Sequence, residues 1–62
     1  MIRKGDICIR REDGNEYIVS NVYCGQIYLV HTENGNKRVI GIIIPEKDFD
    51  KLFTKKGENG NE

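Results

Sequence analysis

The sequence predicts an all-β fold, a small five-stranded antiparallel barrel with one short helical turn before the last strand. Three observations lead there. Residues 39–44 read Val-Ile-Gly-Ile-Ile-Ile, five β-branched residues in six, which is the composition of a strand. Clusters of Gly, Asn and Asp punctuate the first 45 residues into short apolar runs. Nowhere do apolar residues recur at helical spacing for long enough to build a long helix.

Each element follows from its local chemistry. Gly5-Asp6 opens a first strand over residues 7–11, where Ile7 and Ile9 alternate with Cys8 and Arg10. The turn at residues 12–15, Glu-Asp-Gly-Asn, contains residues that tolerate positive φ. Residues 16–23 form the second strand, rich in Tyr, Ile and Val, and Ser20-Asn21 in its middle marks a bulge or sharp bend. Cys24-Gly25 permits a reversal into a third strand at 26–32, with Ile27 and Leu29 on one face and Tyr28 and Val30 on the other. Asn34-Gly35 is a strong hairpin signal and leads into the fourth strand, 37–44. Pro45 ends it, having no N–H to donate. Residues 46–51 are polar except for Phe49 and read as a single helical turn, after which Leu52 and Phe53 make a very short fifth strand. Residues 55–62 contain no apolar side chain and are expected to be a disordered polar tail to a domain spanning 1–54.

A chain of 62 residues buries only about 60% of the surface its unfolded form exposes. The expected core is Ile7, Ile9, Val19, Val22, Ile27, Leu29, Ile40, Ile42, Ile44, Phe49 and Leu52. Tyr17, Tyr23, Tyr28, Val30, Val39, Ile43 and Phe53 then remain as an apolar surplus. Contiguous apolar surplus marks interfaces. The run at 39–44 sharpens this point: a strand with one wet face alternates apolar and polar residues, and this one does not, so both of its faces should be covered. A second copy is the simplest cover. Self-association or partner binding is therefore expected through Tyr28, Val30, Val39 and Ile43, with a homodimer as the default assembly.

Composition excludes several classes of function. Ten basic and ten acidic residues give zero net charge, which opposes nonspecific nucleic-acid binding. No apolar run approaches the roughly 20 residues of a membrane-spanning helix. Cys8 and Cys24 lack the C-x-x-C spacing and second pair of a zinc ribbon, so no metal or other cofactor is expected. The charged start of the chain does not resemble a secretory signal, so a reducing cytoplasm with free thiols is expected. The acids all fall at strand ends or in turns, where solvated charge is the ordinary state, and His31 stands just before such a turn. No nucleophile with a base beside it is recognisable, so the chain is expected not to be an enzyme.

Lys-Gly-Asp-Ile-Cys-Ile, then Glu-Tyr-Ile-Val, then the Asn-Gly hairpin, then Ile-Pro-Glu-Lys-Asp-Phe, resembles SH3-like small barrels. KOW-type modules and many small phage and mobile-element proteins share this layout. The resemblance covers residues 4–53 and implies a binding module. Its phage members imply a protein that binds and inhibits a host protein such as an antiviral defence factor. The SH3 peptide groove does not carry over: its aromatic cluster has no counterpart here and the chain has no Trp. The alternative is a nucleic-acid-binding accessory module of KOW or OB type. Its contacts would be Arg3, Lys4, Arg10, Arg11, Lys37 and Arg38, provided that these strand ends meet, with tyrosines to stack bases.

Overall fold

In the computed structural model, which describes residues 2–33, 35 and 37–56, five strands form one antiparallel sheet. They are β1 (Ile7–Arg10), β2 (Glu16–Tyr23), β3 (Gln26–Glu33), β4 (Arg38–Pro45) and β5 (Phe53–Lys55). Their order is β4-β3-β2-β1-β5. A 3₁₀ turn (Glu46–Asp48) runs directly into a one-turn helix, α1 (Phe49–Leu52), and the two carry the chain from β4 at one edge to β5 at the other. The expected antiparallel all-β architecture and the helical turn before the last strand are both present. The sheet is open, since β4 and β5 end it on either side and do not pair with each other.

Local chemistry sets the connections. Cys24 and Gly25 both adopt positive φ, 53° and 74°, as a two-residue hairpin with the twist of type I′ requires. The pairing of β2 with β3 shifts between Val19 and Asn21. Ser20 is the extra residue, at the site where the sequence places a bulge. Because of it, Val19 and Val22, three apart, both turn toward the interior. β5 reaches Lys55, which pairs with Cys8, and the Lys56 N–H donates to the Ile7 carbonyl. The folded unit therefore runs past residue 54, and residues 57–62 of the expected tail lie outside the described residues.

The interior consists of Cys8, Tyr17, Val19, Ile27, Leu29, Ile44, Phe49 and Phe53, with Ile2, Val22 and Ile42 packed against them. This corrects the expected core at several positions. Ile9 and Ile40, expected inside, are only half-buried and lie outside that cluster. On β1 the inward residue is Cys8, and Ile7 is exposed. Tyr17 and Phe53, expected as surplus, are among the most deeply buried side chains, whereas Leu52 is 44% exposed. The physical reason is an aromatic stack. Phe53 meets Tyr17 edge to face with centroids 5.3 Å apart, and Phe49 stacks on Phe53 at 5.8 Å. Tyr17 also lies 4.9 Å from the His31 ring. These rings bring large buried area and favourable geometry, and they fix which side of β2 faces inward. Since Cys8 stands opposite Tyr17 in the register, β1 follows.

The neighbours Leu52 and Phe53 supply a direct check. Phe53→Ala should cost about 3–5 kcal/mol through the cavity it leaves. Leu52→Ala should change stability by under about 1 kcal/mol. Urea unfolding of both variants decides it, and equal losses would contradict the burial described.

Candidate interaction surface

With the helical segment covering one face of the sheet, the other is left bare among the described residues. Residues paired across antiparallel strands share a face, so the register maps this outer surface directly. Ile7 pairs with Ile18, Ile18 with Val30, and Val30 with Gly41, making one row across four strands. Beside it Tyr28 pairs with Ile43, and on the other side Val39 pairs with Thr32. The four residues singled out from the sequence, Tyr28, Val30, Val39 and Ile43, therefore share one face of the β3–β4 hairpin. Ile18, Val39 and Ile43 are 52%, 64% and 56% exposed, and Ile7 is 39% exposed. Tyr28 and Val30 are half-buried among them.

Ile7 and Ile18 extend this surface onto β1 and β2, and sequence reasoning missed both as surface residues. The signal was present in Tyr17-Ile18-Val19, three apolar residues in succession, of which a one-sided strand must expose the middle one or the outer two. A shallow groove runs along the patch between Ile18 and Val30, bordered by Glu16, Ser20, His31 and Thr32. Its rim is polar: Lys56 forms an ion pair with Glu16, and the His31 Nε2 lies 3.6 Å from the Glu33 carboxylate. The other ring nitrogen of His31, Nδ1, is 2.9 Å from the Glu16 carbonyl oxygen. Only an N–H can serve that acceptor, so the proton sits on Nδ1.

The basic residues considered for nucleic acid do not converge. Arg3 and Lys4 precede β1, whereas Arg10 and Arg11 lie at its far end. The antiparallel order puts that far end at the same end of the sheet as the start of β4, with β2 and β3 between. Arg10 and Arg11 therefore share that end with Lys37 and Arg38 without adjoining them. Glu12, Asp13, Glu16 and Glu33 lie at the same end. The Arg10 guanidinium donates to the Tyr17 hydroxyl at 3.0 Å and lies 3.6 and 3.9 Å from the carboxylates of Glu12 and Asp13. These contacts, led by that of Tyr17, raise its already high pKa. Arg11 spends its Nε–H on the Asp50 carbonyl at 3.0 Å.

The two cysteines are free, Cys8 buried and Cys24 exposed. Burial, followed by the nearby Asp6 charge, pushes the Cys8 thiol up to about 11. At neutral pH it is a protonated packing group rather than a nucleophile. Among the described residues no three His, Cys, Asp or Glu side chains gather as a metal site requires. No described helix is long and apolar enough to cross a membrane. What this arrangement offers chemically is an apolar sheet face with a polar rim. Comparison with protein-family models, curated proteins and solved structures finds no match to the chain in any of the three.

The thiols report on the inner face independently. Iodoacetamide at pH 8 should modify the native protein once, at Cys24, and twice after unfolding. Mass spectrometry of the native sample checks this, and modification of Cys8 at a comparable rate would contradict its burial.

Proposed function

We propose that the chain is a non-enzymatic protein-binding module that works as a homodimer in the cytoplasm. The observation that carries this reading is the outer face of the sheet. Ile7, Ile18, Tyr28, Val30, Val39 and Ile43 form one continuous apolar surface on a chain whose remaining surface is rich in both signs of charge. Monomeric soluble proteins rarely leave such a surface uncovered, and apolar patches with polar rims serve as docking sites. Five antiparallel strands with a helical turn before β5 match the layout expected from the resemblance to SH3-like barrels, with the sheet open rather than closed. With that resemblance, the partner we propose is a host protein, such as an antiviral defence factor, that is blocked by stoichiometric binding. The alternative reading, a nucleic-acid accessory module, has against it the zero net charge and the division of the six basic residues between two ends of the sheet.

Two measurements test the reading. Immobilised protein, presented with nuclease-treated host lysate, should retain one protein in near-stoichiometric amount, and Ile18→Lys should lose it. Identical capture by the variant would remove the outer face from the account. A gel shift with random duplex DNA near physiological salt, showing sub-micromolar affinity and a steep salt slope, would favour the nucleic-acid reading instead.

For self-association, light scattering at tens of micromolar should give the mass of two chains. Ile43→Asp should return the mass of one, because an interfacial carboxylate without a partner costs about 3–5 kcal/mol. On an exposed face of a monomer the same change should alter stability by under about 0.5 kcal/mol. A wild-type mass of one chain would rule out the homodimer.

A further inference from the structure

β4 is an edge strand, and between Arg38 and Pro45 it carries none of the protections that edges normally have. Natural edges are kept short, charged, bulged or covered. β5, the other edge, is only three residues long. β4 is eight residues long, pairs with β3 in unbroken register, and has no charged residue between Arg38 and its end at Pro45. Among the described residues no strand pairs with its outer side.

The hydrogen-bond phase of β4 identifies the backbone groups that face outward. The Glu46 N–H donates to the Gly25 carbonyl at 2.8 Å, one step beyond the pair Gln26–Pro45. An antiparallel ladder alternates bonded and non-bonded pairs, so Ile44, Ile42 and Ile40 bond to β3. Val39, Gly41 and Ile43 direct their N–H and C=O groups out of the sheet. Pro45, which has no N–H, occupies the next outward position, where proline is tolerated on an edge.

We propose that this edge pairs with the β4 edge of a second copy, antiparallel, about a twofold axis through Gly41. The proposal rests on the homodimer reading above and specifies its geometry. A twofold interface has to be self-complementary, and this strand is. About Gly41 the sequence reads Val-Ile-Gly-Ile-Ile, so Val39 of one copy meets Ile43 of the other and Ile40 meets Ile42. Every outward N–H and C=O of Val39, Gly41 and Ile43 then finds a partner, and β-branched residues face each other at every position beside the axis. The ends complement in charge: the basic start of one β4, Lys37 and Arg38, runs toward Glu46 and Asp48 of the other copy, with Lys47 between them. The two outer faces join into one continuous apolar surface, twice as wide, for the target. The second copy takes the edge, and on the outer face it covers only the flanks of Val39 and Ile43, which meet across the axis; Ile7, Ile18, Tyr28 and Val30 stay open to the target.

Backbone chemistry provides the test. A chain of 62 residues is accessible to total synthesis, so Gly41 can be replaced by N-methylglycine. That change deletes one outward N–H, puts a methyl group on the edge and leaves every side chain as it was. Gly41→Ala is the counterpart that keeps the N–H. A β-carbon there meets nothing nearer than the Leu29 carbonyl oxygen at 3.9 Å. Sedimentation equilibrium should show dimer for wild type and Gly41→Ala, and at least a tenfold weaker dimer for the N-methyl chain, with circular dichroism confirming that its fold persists. Dimer of equal strength in all three would overturn the edge register while leaving self-association standing. A monomeric wild type would overturn both. A dimer weakened by Gly41→Ala as much as by N-methylation would place the second copy on the outer face and also overturn the proposal. A second variant does not depend on the N-methyl chain folding: Gly41→Cys with Cys24→Ser should close to a covalent dimer under mild oxidation, since residues facing each other across the axis lie about 5.5 Å apart. Failure to cross-link while the dimer persists would equally overturn the register.

Discussion

One sheet has two faces, and the described residues cover only one of them. The cover is the short segment between β4 and β5, fastened by the stacking of its Phe49 on Phe53, which in turn meets Tyr17 edge to face. Much of the rest depends on that fastening. It selects Tyr17 and Val19 as the inward residues of β2, and through the pairing of Tyr17 it turns Cys8 inward on β1. The extra residue at Ser20 then lets β2 bend while Val22 still points into the core. A small domain gains little from burial beyond the cost of ordering its chain, and the described residues offer no second layer for the outer face.

The function proposed here follows from that shortage. Apolar residues on the outer face serve no purpose in the isolated fold; polar ones would keep a monomer more soluble. Ile7, Ile18, Val30, Tyr28, Val39 and Ile43 are nevertheless placed side by side across four strands. The titratable groups, by contrast, are used locally: Arg10 on Tyr17 and two acids, Asp6 with Lys55, and Glu16 with Lys56. An apolar face with a polar rim is suited to docking.

The strands and turns were legible in the sequence because their signals are local. The run at 39–44, the glycines of the turns and the bulge at Ser20-Asn21 each act within a few residues. Tyr28 and Val30 were legible because alternation with Ile27 and Leu29 leaves no choice of face, and Val39 and Ile43 follow from them through the hairpin signal at Asn34-Gly35. The facing of β1 and β2 was not. Both strands carry apolar residues at odd and even positions, so periodicity cannot choose between Ile7 and Cys8, or between Tyr17 and Ile18. The choice is made by Phe53, thirty-six positions from Tyr17 in the chain and adjacent to it in space, and no local pattern carries that contact. The same gap hid the outward phase of β4, which depends on a bond from Glu46 to Gly25.

Amide hydrogen exchange along β4 tests the central claim, that the bare side of this strand is covered by a second molecule. Ile40, Ile42 and Ile44 bond within the sheet and should be protected at any concentration. Val39, Gly41 and Ile43 should be protected when the protein is concentrated and lose that protection on dilution through the dimer's dissociation range. Fast exchange at those three amides at every concentration, beside slow exchange at their neighbours, would contradict the account.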